Sequence, residues 1–180
     1  MLLIVVWRTW ANGLSLSRLV IAPFTFLVII DGSYALGLAL FCFAVITDAI
    51  DGPIARKSGN ASPLGGKLDH GADAIYVTLC LTALAYKGFI SWALPPLVII
   101  AFLQYLFDSN ALLKKEKPLR SSQLGRYNGI AYFVLVGIPL VQTTLSWSLF
   151  PPISLQVLSW LLIATTIISM LNRLASGKNS

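Results

Sequence analysis

From Tyr34 to Asp73 the chain reads YALGLALFCFAVITDAIDGPIARKSGNASPLGGKLDHGAD. Tyr34 to Ile54 is apolar until its last turns, and its length matches the roughly 20 helical residues that cross a hydrocarbon layer of about 30 Å. Asp48 and Asp51 stand at i and i+3 near the end of that segment, while Asp69 and Asp73 stand at i and i+4 where the next apolar run begins. Each pair therefore shares a helix face. A connection of about a dozen residues, marked by Ser58-Gly59-Asn60, Pro63 and Gly65-Gly66, lets the two helices lie antiparallel and brings the four carboxylates together.

The whole chain has 180 residues, of which 57% are hydrophobic and 11% charged. Average globular chains are about 45–50% apolar and about 25% charged, and a globule this size could not cover its surface with so few charges. Soluble, disordered, collagenous and nucleic-acid-binding classes are excluded together, which leaves an all-α integral membrane protein. Six segments have spanning length: Leu14 to Ile30, Tyr34 to Ile54, Asp69 to Tyr86, Ile90 to Leu112, Leu124 to Trp147 and Pro151 to Leu174. Turn chemistry at Asp31-Gly32-Ser33, Lys87-Gly88, Lys117-Pro118 and Pro151-Pro152 separates the others. Residues 1–180 make one membrane domain, with residues 1–12 as a short interfacial helix holding Trp7 and Trp10 at headgroup level. Met1 to Trp10 lacks the basic-then-apolar order of a signal peptide. Cys42 and Cys80 lie in apolar runs without CxxC spacing and read as small buried hydrophobes.

Of the 13 basic residues, only Lys87 falls on one side of this layout, and the other twelve gather on the opposite side with the termini. The positive-inside rule places both termini in the cytoplasm, in a multi-pass protein of a bacterial inner or plasma membrane. The net charge of +6 follows from topology and calls for no nucleic acid.

Four carboxylates in a half-buried site repel one another unless cations are present. Oxygen-only ligation favours Mg²⁺, Mn²⁺ or Ca²⁺, and two such ions about 3.5–4 Å apart are a recurrent device for displacement at phosphorus. Gly52 allows a phosphate close to the helix backbone, and Arg56 offers a bidentate fork one turn on. Two rivals use fewer of these residues. Solvated loop-end charges would not need two face-matched pairs, and a divalent-cation carrier would need neither Gly52 nor Arg56.

With Asp48, Asp51-Gly52, Ala55-Arg56, Gly65, Asp69 and Asp73, the segment resembles the signature D-x2-D-G-x2-A-R-x8-G-x3-D-x3-D of the CDP-alcohol phosphotransferase family, every spacing met. The resemblance implies six transmembrane helices around a polar cavity facing the cytoplasm. It implies two divalent ions, Mg²⁺ or Mn²⁺, at Asp48, Asp51 and Asp69 with Asp73 beside them as general base, and CDP contacts from Gly52, Gly65 and Arg56. The implied reaction transfers a phosphatidyl group from CDP-diacylglycerol to a small polar alcohol, such as glycerol 3-phosphate or an inositol or polyol phosphate, with release of CMP. The alternative is transfer from a soluble CDP-alcohol, of choline or ethanolamine type, to a lipid acceptor. Members acting on glycerol 3-phosphate typically have proline and lysine where this chain has His70 and Ala74, so the acceptor stays open. Members are often homodimers, which makes a second copy of the chain the implied protein partner.

Beyond the signature, Asn12-Gly-Leu-Ser15-Leu-Ser-Arg18 is similar to the family's opening pattern and puts Asn12 and Ser15 at the nucleotide pocket. Arg18 belongs to the same pattern and would bind substrate there; the plainer roles are a helix N-cap for the serines and a headgroup anchor for Arg18. Ser122-x2-Gly125-Arg126 looks like the element that lines the family's acceptor pocket, where Arg120 and Arg126 would clamp an acceptor phosphate. Asp108 suits a buried ion pair. His70 occupies a variable position of the signature and reads as a spectator, the alternative being a hydrogen bond donated to substrate.

Overall fold

The computed structural model describes residues 10–57, 63–112, 123–148 and 150–177, and side chains at 13–50, 69–107, 123–148 and 150–175. The described residues form six helices: α1 (Trp10–Asp31), α2 (Tyr34–Lys57), α3 (Pro63–Tyr86), α4 (Leu94–Leu112), α5 (Gln123–Leu145) and α6 (Pro152–Gly177). They pack as a ring in the order α1, α2, α5, α6, α4, α3, closed by α3 against α1 and crossed by a contact between α3 and α5.

Two helix ends, both at one end of the bundle, are set by glycine. Gly32 has φ +90°, with Gly32 N–H donating to Ile29 C=O at 3.1 Å and Ser33 N–H to Val28 C=O at 2.9 Å. Gly88, at φ +79°, repeats the pattern towards Ala85 and Leu84. Both are Schellman caps, in which a residue without Cβ turns left-handed and satisfies the last helical carbonyls. Lys87 donates to the carbonyl of Ile30 at 3.0 Å, so the one base at this end of the bundle closes the C-terminus of α1.

Several boundaries differ from the sequence expectation: α1 begins at Trp10, before Leu14, and α2 and α6 run on to Lys57 and Gly177, beyond Ile54 and Leu174. α3 begins at Pro63, not Asp69, because proline fits the first helical position, and Gly65-Gly66 continue the helix. α4 begins at Leu94, not Ile90, because Ser91 to Ala93 make a turn, with Leu94 N–H on Ser91 C=O at 3.3 Å and two prolines next. Residues 1–9 lie outside the described residues, and Trp10 to Asn12, expected at the end of a separate interfacial segment, are the first turn of α1 and continuous with it.

α3 carries much of the core, with Tyr76, Cys80, Leu81 and Leu84 fully buried against Ile29, Leu94, Leu135 and Leu140. Close approach of α2 to its neighbours needs a small residue, since a Cβ on Gly37 would lie 3.2 Å from Ile29 and 3.5 Å from Leu140. The outside is apolar: Val20, Phe24 and Leu27 on α1 and Ile153, Val157, Trp160, Leu161 and Leu171 on α6 are all exposed. Gly13–Asp31, Gln123–Leu145 and Pro152–Ala175 are long and apolar enough to cross a membrane, and Tyr34–Ile50 and Leu94–Phe107 are shorter apolar helices. An apolar exterior around a core that holds buried polar residues is the arrangement a lipid solvent selects.

Candidate active site and metal centre

The helices bring three of the four signature acids to one point. Asp48 comes from α2, Asp69 and Asp73 from successive turns of α3, and one carboxylate oxygen of each lies within 4.8 Å of the others. Like charges about 4–5 Å apart repel by roughly 3–4 kcal/mol per pair at an effective dielectric near 20. Three such pairs would cost about as much as the whole stability of an ordinary domain, so the cluster requires positive charge. The donor set is hard, anionic and all oxygen, which fits Mg²⁺ or Mn²⁺ and would not select a soft metal.

One positive charge comes from the chain itself. Arg18 of α1 is fully buried and donates through Nη1 to Asp48 Oδ1 at 2.6 Å and to Asp73, and through Nη2 to Asp69. Ser15, one turn earlier, donates to Asp69 Oδ1 at 3.0 Å and so orients that carboxylate. Arg18 is thus inside the acidic cluster and is no headgroup anchor.

The acids stand at one end of a cavity of about 680 Å³ that runs between α3, α4, α5 and α6. Arg126 and Arg173 line it too, so one chamber holds an acidic end and a basic wall. Tyr105 forms a plate between them: His70 stacks on its ring at 6.0 Å with planes 12° apart, and the guanidinium carbon of Arg173 lies 5.4 Å from its centroid. His70 is therefore part of the cavity wall. Gly125 gives Arg173 its room, since a Cβ there would come within 2.8 Å of Nη2. Deeper in, Thr166 donates to Leu162 C=O at 2.6 Å, so its oxygen accepts from Tyr132 at 2.5 Å and from Asn128 Nδ2 at 3.4 Å. That buried trio joins α5 to α6 on the cavity wall.

Several expected site residues fall where less is described. Asn12, Asp51, Gly52, Arg56 and Gly65 lie on the helical backbone of α1, α2 and α3, and their side chains are outside the described set, as is that of Asp108 on α4. Arg120 lies outside the described residues altogether. Arg173 was missed from sequence, where it counted only towards topology. The signal was present: Ser159, Thr166 and Arg173 recur every seven residues along α6, a stripe whose first two members are buried and whose last lines the cavity.

A family model described as CDP-alcohol phosphatidyltransferase matches residues 8–171, and the chain belongs to this family. It is 37% identical over 92 residues, 51% of this chain and 29% of the relative, to a Drosophila melanogaster protein named "Probable cardiolipin synthase (CMP-forming)". It is 36% identical over 92 residues to the cardiolipin synthase (CMP-forming) of Homo sapiens, covering 51% of this chain and 31% of the relative. It is 34% identical over 92 residues to the CDP-diacylglycerol–glycerol-3-phosphate 3-phosphatidyltransferase of Aquifex aeolicus, covering 51% of each. The matched stretch spans about half or less of these relatives' length.

Proposed function

We propose that the protein is a multi-pass membrane transferase that moves the phosphatidyl group of CDP-diacylglycerol onto the hydroxyl of a small polar alcohol and releases CMP. The observation that carries this is the convergence of Asp48, Asp69 and Asp73 at the head of a cavity whose wall holds Arg126 and Arg173. Residues 1–180 act as one domain, all six helices cross the bilayer, and the cavity opens to the cytoplasm.

Asp48, Asp51 and Asp69, with Asp73 beside them at the edge of the site, would hold two Mg²⁺ or Mn²⁺ ions, whose chemistry when bound is to stabilise charge on the phosphoryl oxygens and on departing CMP. Side chains do the rest. Asp73 takes the proton of the acceptor hydroxyl as its oxygen bonds to the β-phosphorus, and the bridging bond breaks so that CMP leaves with its oxygen. Gly52, Gly65 and Arg56 receive the CDP group, with Asn12 at its nucleotide end, while Ser15 acts through Asp69. Arg120, Arg126 and Arg173 hold an anionic acceptor by charge-assisted hydrogen bonds.

The relatives' names make glycerol 3-phosphate the first acceptor to test. Cardiolipin carries two phosphatidyl groups on one glycerol, so the other name makes phosphatidylglycerol the second. Purified protein given Mg²⁺ or Mn²⁺, CDP-diacylglycerol and each alcohol in turn should release CMP with one of them. Asp73→Asn should lower turnover by about 10²-fold or more, the usual worth of a general base, while metal and nucleotide still bind. Near-normal turnover in that variant would refute the base assignment. Cation flux in proteoliposomes with no response to cytidine nucleotide would point to a carrier instead.

A further inference from the structure

The reaction above employs the aspartates and gives no task to the residue at their centre. We propose that Arg18 is the resident counter-ion of this metal centre: its guanidinium holds Asp48, Asp69 and Asp73 together in the metal-free protein and yields their oxygens when divalent metal enters. This rests on the assignment of the cluster as a metal centre.

Three observations carry it. Arg18 is wholly buried on α1, outside the signature, so neither solvent nor lipid headgroups receive its charge. Its two terminal nitrogens reach Oδ1 of all three acids, drawing α2 and α3 onto α1. With all three carboxylates ionised, they and the one guanidinium carry a charge of −2 among these four side chains, which still attracts a divalent cation. Mg²⁺ needs its oxygens at about 2.0–2.1 Å, and N–H groups aimed at the same oxygens occupy that space with like charge. Metal and guanidinium therefore contend for the same atoms. While Arg18 holds Asp73, that carboxylate is engaged, so the base becomes available only once metal has arrived. A permanent structural ion pair would behave differently, because metal would then bind beside an unmoved Arg18 and gain nothing from its removal.

The test is Mn²⁺ binding to the full chain in detergent, read from the EPR signal of free Mn²⁺, with thermal unfolding in chelator and in Mn²⁺. Arg18→Gln should bind Mn²⁺ at least about tenfold more tightly than wild type, the worth of losing one charge-assisted hydrogen bond of competition. Its Tm in chelator should fall, and its gain in Tm on adding Mn²⁺ should exceed that of wild type. If Arg18→Gln cannot be purified in chelator, Mn²⁺ during purification or the added change Asp69→Asn should recover it, since each restores the balance of charge. Unchanged or weaker Mn²⁺ binding in the variant, or failure to recover by either route, would overturn the counter-ion role. Absence of Mn²⁺ binding by wild type and variant alike would overturn the metal assignment itself, and the counter-ion role with it.

Discussion

Arg173 reaches the cavity only because residue 125 has no side chain, and its guanidinium rests over Tyr105, which in turn stacks with His70. Gly125→Ala should push the guanidinium off this plate, as its nearest clash is with the end of a flexible side chain. The expected result is an acceptor KM raised several-fold with kcat changed less, and Arg173→Ala should raise it by about tenfold or more, as for loss of a hydrogen bond to a charged group. Steady-state kinetics with the accepted alcohol check both, and a change confined to CDP-diacylglycerol KM would place Arg173 elsewhere. At this scale the acids were legible because their spacing is local, set by helical repeat. Arg173 was not, and Arg18 was legible only as part of the family's opening pattern, because an arginine near a span end suits a topology signal equally well, and only the neighbouring helix decides whether it meets water or carboxylate.

The helices show where local chemistry and packing agree. Gly32 and Gly88 were readable as punctuation, and both become left-handed C-caps. Gly32→Ala and Gly88→Ala should each destabilise the protein by about 1–2 kcal/mol, the cost of a left-handed L-residue, seen as lower Tm with activity at low temperature retained. Unchanged Tm in either variant would mean that the cap is dispensable. The start of α3 was misplaced for a physical reason: Pro63 and Gly65-Gly66 are turn formers by propensity, yet proline suits a helix start and packing of α3 against α1, α4 and α5 carries the glycines along. The stripe of α6 was visible as a seven-residue recurrence, but a polar stripe on an apolar helix could equally face a second copy of the chain or another helix of its own.

For the whole molecule, the ring order puts α4, α5 and α6 across from the signature helices and so makes a chamber instead of a surface patch. The proposed six crossings would place the α5–α6 turn opposite the C-terminus. In a background lacking Cys42 and Cys80, Ser148→Cys should react with an impermeant maleimide from outside sealed cells, and Ala175→Cys only after permeabilisation. Labelling of both from one side would break the six-crossing arrangement. Sequence by itself determined the membrane class, the helix count and the acid pairs, because apolar length, turn residues and the 3.6-residue repeat are all local properties. Only tertiary structure decided that a buried arginine from α1 pairs with three of those acids and that α6 adds Arg173 to the basic wall, because burial and charge pairing are settled between helices far apart in the chain.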